Sequence, residues 1–216
     1  MLALLHTSPL HVPVFDALRD EAHPGLELRH FVDEELLRRA RRAGPEAVTG
    51  EVGAALERAL TEGARAILCT CSTIGGVAEA LGSRSAYRVP VLRVDRPMAT
   101  AAVAAGPRVV VVAALESTLP PTAALVEEEA RRAGRPVTVR TLIADGAWPR
   151  FETGDTEGFA REVAAAADNV TDADAIVLAQ ASMAPAQHLT TTAIPVLSSP
   201  RPGLAAAAGA AGHATG

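Results

Sequence analysis

Residues Ala66–Gly75 lie without a gap over Ala175–Ala184, and each copy is followed by a segment opening Pro-Val-Leu, at Pro90 and at Pro195. A repeated apolar run with a matching second run downstream restricts the chain to two copies of one supersecondary unit. In this register Gln180 takes the position of Cys71, and Ser182 that of Thr73. Around the repeat, short β-branched or aliphatic runs alternate with longer Ala/Leu/Glu/Arg segments, the pattern of parallel strands joined by crossover helices. Strands are expected at Leu2–His6, Leu26–Val32, Ala66–Thr70, Val89–Val94, Val109–Ala113, Val137–Ile143, Ala175–Ala179 and Pro195–Ser198. The segment Thr49–Gly63 puts Val52, Leu56, Ala59 and Leu60 on one helical face and stops at a glycine. Pro120–Gly134 and Thr156–Ala167 read as helices in the same way, and the Ala/Gly-rich tail Ala205–Gly216 as a short final helix with a frayed end. The expected fold is α/β, built from two pseudo-symmetric Rossmann-like or flavodoxin-like units with parallel sheets. The first comprises residues 1–96 plus 199–216, the second residues 97–198.

Composition narrows the function classes. At 216 residues and 49% hydrophobic, the chain has ample material for a buried core. A net charge of −5 with interspersed signs gives no basic stripe for a phosphate backbone, and 3% aromatics leave few platforms for bases, so nucleic acid is not an expected partner. No stretch reaches the about 18 apolar residues of a membrane span, and Met1–His6 reads as a first strand rather than a leader. A soluble, cytoplasmic protein with no membrane partner is expected. Cys69 and Cys71, one residue apart, are too close for an unstrained disulfide and too few for structural zinc, and reduced thiols are the expectation. There is no Gly-x-Gly-x-x-Gly after a strand, no phosphate-binding loop and no His-Glu-x-x-His. No metal or cofactor is expected, and catalysis would rest on side chains and oriented amides.

Cys71 carries the chemical signal. It stands where an apolar strand stops and a polar, glycine-containing turn, Ser72–Gly76, leads into the helical Val77–Leu81. Ligands of open α/β sheets bind at this carboxyl edge, and the amides opening the next helix favour an anion. A thiol there is poised to ionise. Cys69, inside the apolar run, reads as core filling.

The strand–Cys–Ser–Thr turn at Cys71, the stretch Val177–Ala184 and the two-unit layout together resemble the aspartate/glutamate/hydantoin racemase superfamily. The resemblance spans nearly the whole chain. It implies an active site in a cleft between two α/β domains, where two cysteines face the α-carbon of a small acid and exchange its proton without metal or pyridoxal phosphate. It also implies that Ser, Thr and backbone amides at the strand ends hold the carboxylate, and that a homodimer is possible. Here the first cysteine matches Cys71 and the second falls on Gln180, which has no proton to exchange near neutral pH. A symmetric two-thiol exchange is disfavoured, and Cys71 and Gln180, the catalytic candidates, suit a one-sided protonation, a covalent thiol adduct or an isomerase whose second acid/base is not a cysteine.

His6, Thr7 and Ser8 follow the first strand and belong to the same carboxyl edge; the corresponding family loop binds substrate. His6 reads equally as a proton carrier, its ordinary pKa being near neutrality, or as a structural histidine. His11 caps or lines the same loop. Asp95 reads as an edge carboxylate or half of a pair with Arg96, Asp33 and Glu34 as a helix start, and Arg38, Arg39, Arg41 and Arg42 as a solvated helix face. Ser72, Thr73, Ser117, Thr118, Ser182 and Met183 are the remaining substrate-binding candidates, with Ala114 where the family carries a threonine; Ser198 and Ser199 read as further hydroxyl candidates or as turn residues, and His188 reads as solvated. Three functions stay open: an isomerase acting at the carbon α to a carboxylate, a decarboxylase or C–C lyase in which Cys71 protonates an enolate, and a carboxylate-binding protein without turnover.

Overall fold

The computed structural model describes residues 1–84 and 87–212; of the expected tail, residues 213–216 lie outside the described residues. By contacts the chain divides into two compact units, Met1–Val94 with the chain from Pro200 onward, and Asp95–Ser199. Among the described residues no helix is long and apolar enough to cross a membrane.

The first unit runs β1 (Leu2–His6), α1 (His11–Ala22), β2 (Leu28–Val32), α2 (Glu34–Ala43), α3 (Thr49–Thr61), β3 (Ala66–Cys69), α4 (Ser72–Gly82) and β4 (Val91–Arg93). Its four strands are all parallel in the order β2-β1-β3-β4. Alternation sends Ala3, Leu5, Ile67, Cys69 and Cys71 into one core with α2, α3 and α4, and Leu2, Leu4, Ala66 and Leu68 into the other with Phe15 of α1. Both faces of β1 and β3 are therefore apolar, as central strands of a parallel sheet require.

The second unit repeats the plan: α5 (Arg96–Ala105), β5 (Arg108–Ala113), α6 (Leu119–Ala133), β6 (Thr138–Ile143), α7 (Ala147–Glu152), α8 (Thr156–Asp168), β7 (Ala175–Leu178) and β8 (Val196–Leu197). The order is β6-β5-β7-β8, again all parallel. The registers coincide as well. Leu2 pairs with Leu28 and Ala66, as Val109 pairs with Val139 and Ala175; Ile67 pairs with Val91, as Ile176 pairs with Val196. The repeat seen in sequence is thus a repeat of hydrogen-bond register. The final helix, α9 (Pro200–Ala210), packs on β3 and α1 of the first unit.

Helix ends follow local chemistry. Asp33 caps α2 by accepting the Glu35 N–H at 3.0 Å, and Asp155 caps α8 by accepting that of Gly158 at 2.8 Å. Helix α6 stops at Gly134 in the left-handed region (φ 63°). Arg38, Arg39 and Arg42 pair with Glu35 and Glu51 on exposed helix faces.

One expectation is corrected. Ser72–Gly76 is not a turn but the opening of α4, which starts five residues before Val77. The glycines serve close packing instead. A Cβ at Gly82 would stand 2.3 Å from Val91 Cβ, and one at Gly75 would stand 3.1 Å from Arg93 Cβ. Two turns apart on α4, these residues let the helix lie directly on β4, with buried Arg93 running past Gly75 and Gly76.

Candidate active site

Cys71 is the N-cap residue of α4, in extended conformation (φ −106°, ψ 116°), and 8% exposed. It stands at the carboxyl edge of β3, between the ends of β1 and β4. The first-turn N–H groups of Thr73 and Ile74 have no acceptor within the helix, and the helix dipole adds to the partial positive charge beside the thiol. Anion binding is favoured by that geometry. Ser72 and Thr73 are buried with it. Cys69 is fully buried two residues back, its thiol 3.7 Å from the Cys71 carbonyl oxygen.

The adjacent end of β1 supplies His6, Thr7 and Ser8. His6 is fully buried, and both ring nitrogens are engaged: Nδ1 lies 2.8 Å from Thr70 Oγ1, and Nε2 lies 2.8 Å from His30 Nδ1. Burial, reinforced by His11 and His30, pushes its pKa from 6.5 down to about 3, so the ring stays neutral. His6, Thr70 and His30 sit on the α1 face of the sheet, opposite the face that carries the Cys71 side chain. His11, in the first turn of α1, has both ring nitrogens buried without a hydrogen-bond partner, and burial takes its pKa down to about 4. Thr7 is buried and Ser8 half-buried, its Oγ receiving a 3.4 Å contact from the Leu10 N–H. Asp95 is fully buried at the start of α5, while Arg96 engages the carboxylates of Glu128 and Glu129. Among the described residues no three His, Cys, Asp or Glu side chains gather as a metal-binding set.

In the second unit Gln180 stands at the step equivalent to Cys71, also extended (φ −114°, ψ 140°). It opens an eight-residue 3-10 helix, Ala181–His188, interrupted by Pro185, where the first unit has an α-helix. Its Oε1 accepts the Ala114 N–H at 2.6 Å, leaving the amide NH2 to donate. Ser182 is half-buried. Met183 sends its side chain wholly into the core, and its N–H binds the Gln180 carbonyl at 2.9 Å. Thr118 is buried at the entrance to α6, and Ser117 Oγ is buried without a partner. Ser198 Oγ donates to Gln187 Oε1 at 2.7 Å, and His188 is exposed.

Four side chains near the first edge were not singled out from sequence: Thr70, His30, Asp16 and Arg93. Thr70 was readable only as the last residue of a strand. His30 and Asp16 reach His6 through strand register and helix placement, which leave no local signal in the chain.

The same fold recurs in known proteins. The Asp/Glu/Hydantoin racemase family matches the sequence over residues 11–207. An aspartate racemase from Picrophilus torridus is 16% identical with a TM-score of 0.73, the match covering 100% of this chain and 95% of that one. A glutamate racemase from Bacillus anthracis is 16% identical with a TM-score of 0.74, covering 95% of this chain and 79% of that one. An arylmalonate decarboxylase is 20% identical with a TM-score of 0.62, covering 100% and 94%. No curated protein matches closely enough to count as a relative. With a family match over nearly all of its length and the same two-unit architecture, the chain belongs to the Asp/Glu/hydantoin racemase family.

Proposed function

We propose that the protein is a cofactor-independent, racemase-type enzyme that moves a proton at the carbon α to the carboxylate of a small acid, with Cys71 as its acid/base group. The supporting observation is the placement of Cys71 as the N-cap of α4 at the carboxyl edge of β3, in a chain of the racemase family. The carboxylate accepts the Thr73 and Ile74 amides and the hydroxyls of Thr7, Ser8, Ser72 and Thr73. Bound so, it delocalises charge when the α-carbon loses its proton, and the enolate-like species is stabilised where the negative charge grows. The Cys71 thiolate takes that proton, or the thiol gives it.

Gln180 holds the equivalent step of the second unit without a titratable group, so the chemistry is one-sided in thiols. In the second unit Gln180, Ser117, Thr118, Ser182 and the Met183 backbone are the corresponding polar set, acting by hydrogen bonding rather than proton transfer. The single thiol also favours a second reading, in which loss of carbon dioxide from a substituted malonate generates the enolate and Cys71 protonates it. The arylmalonate decarboxylase among the matched structures fits that alternative.

Incubation with aspartate, glutamate, a hydantoin and a substituted malonate in deuterated water separates the two. An isomerase washes the α-proton out of recovered substrate, whereas a decarboxylase places deuterium in a shorter product. In either case Cys71→Ser is expected to lower kcat/KM by about 10²–10⁴-fold. Full turnover in that variant would refute the role of Cys71.

A further inference from the structure

We propose that Thr70, His6, His30 and Asp16 form a proton relay joining the carboxyl edge of the first sheet to solvent. The four groups come from β3 and its edge, β1, β2 and α1, and stand in an unbroken line. Thr70 Oγ1 is 2.8 Å from His6 Nδ1, His6 Nε2 is 2.8 Å from His30 Nδ1, and His30 Nε2 is 3.3 Å from Asp16 Oδ1. The inner two members are buried and the outer two progressively exposed. Thr70 is 1% exposed and His6 0%, while the side chains of His30 and Asp16 are 16% and 38% exposed. One end is therefore sealed at the carboxyl edge of β3 on the α1 face, and the other is open to water.

The fold does not require these residues. By strand register, the second unit carries Ala113 for His6, Ala179 for Thr70 and Thr141 for His30. An identical topology closes there with small side chains.

Donor and acceptor accounting allows two settings that differ by one proton. In the first, the Thr70 hydroxyl donates to His6 Nδ1, His6 Nε2–H donates to His30 Nδ1, and His30 Nε2–H donates to the Asp16 carboxylate. In the second, Thr70 donates to the Leu5 carbonyl 3.1 Å away, His6 Nδ1–H donates to Thr70, and His30 donates from both nitrogens as an imidazolium beside Asp16. A proton arriving at Thr70 Oγ1 converts the first setting into the second. The hydroxyl's own proton passes to His6 Nδ1, the His6 Nε2 proton passes to His30 Nδ1, and the charge comes to rest on His30. The reverse sequence delivers a proton to the edge.

The strongly depressed pKa of His6 agrees with this. His6 changes tautomer but holds no charge in either setting. Its other neighbours are His11 and Phe15 of α1, with ring centroids 6.2 and 5.6 Å away. Asp16 is shared with Arg19 at 3.3 Å, and Arg19 also binds Asp20 at 2.5 Å. Arg201 of α9, the other helix on this face, is engaged with Glu21. His6 and His30 are in this sense positioning and conducting residues rather than groups that touch a substrate. That the relay serves Cys71 rests on the function proposed above; its existence does not.

The test uses the full chain with no ligand. Long-range proton–nitrogen spectra of the histidine rings, recorded between about pH 5 and 8, report each tautomer directly. His6 is expected as the Nε2–H tautomer at the alkaline end and to switch to Nδ1–H with the midpoint at which His30 gains its proton. Asp16→Asn is expected to move that common midpoint to lower pH, and His30→Gln to abolish the switch with the His6 ring still ordered. A His6 tautomer that stays fixed while His30 titrates in the unmodified protein overturns the relay, whatever the variants do. Loss of the switch with Cys71-dependent turnover intact refutes the relay alone. A working switch in a protein with no Cys71-dependent turnover refutes the functional reading alone.

Discussion

Cys71 and Gln180 occupy the same step of the same topology, and their surroundings have diverged. The first unit continues from its edge into an eleven-residue α-helix and backs its β1 and β3 ends with His6 and Thr70. The second continues into a proline-interrupted 3-10 helix, fills the matching positions with Ala113 and Ala179, and commits the Gln180 oxygen to its own backbone at Ala114. Histidines are divided in the same way. Among the described residues His6, His11, His23 and His30 belong to the first unit, and only exposed His188 to the second. Duplicated architecture thus preserves register and packing while the titratable chemistry concentrates on one side. Backbone hydrogen bonds and apolar alternation define the fold; three or four polar side chains define what an edge can do.

Acid should separate the units most. His6 and His11 are held neutral in the folded chain down to about pH 3 and about pH 4, while the unfolded chain binds those protons near pH 6.5. Because the unfolded state binds more protons in that window, stability is intact above about pH 6.5 and falls as the pH drops towards about 3, by several kcal/mol on the order-of-magnitude scale of such shifts. The penalty belongs to the first unit alone. Protection factors across β1 and β3, which correct for the intrinsic slowing of amide exchange in acid, are expected to fall on acidification before the fluorescence of Trp148, the single tryptophan and a residue of the second unit, changes. Simultaneous loss would remove the contrast.

A smaller effect tests packing. Gly82→Ala forces a methyl to within 2.3 Å of Val91 Cβ, which is tied to the backbone and cannot swing aside. A loss of about 1–3 kcal/mol in denaturant unfolding is expected. Smaller still, Gln180→Ala removes the acceptor of the Ala114 N–H and should cost about 1 kcal/mol, with faster exchange at Ala114 and no change around β1. A larger cost than that of Gly82→Ala would mean that Gln180 anchors the second unit more than its single bond implies.

All eight strands and their parallel sense were within reach of the sequence, the central β1, β3, β5 and β7 as continuous hydrophobic runs with two apolar faces and the edge strands as shorter aliphatic runs between helical segments; the order within each sheet was not. The strand-edge position of Cys71 was legible, since Ala66–Cys69 must end and the polar residues that follow mark where, but its place as the N-cap of α4 was not, because the helix was expected only from Val77. Nor was the extent of α4. Gly75 and Gly76 look like turn residues in isolation, and only the presence of Arg93 beside the helix explains them. The partners of His6 were hidden more deeply. His30 is 24 residues away in sequence and Thr70 is 64, and what joins them is a register that no local pattern records. Met183, read as a residue at the edge, has an apolar side chain that the core claims.

The second unit is one continuous stretch of chain, whereas the first is completed by α9, which returns after Ser199. In the second unit α5 covers the corresponding face and precedes its strands. Gly203 makes the return close, since a Cβ there would stand 2.4 Å from the Val94 carbonyl oxygen, and Leu204 joins Leu2, Leu4 and Leu68 in the core. Burying that one leucine contributes about 1.5–3 kcal/mol. During synthesis, therefore, the half of the molecule made first is the half finished last. Its hydrophobic face waits for Pro200–Ala210 to leave the ribosome, so the core on the α1 side of β1 and β3 closes only after the whole second unit has been translated.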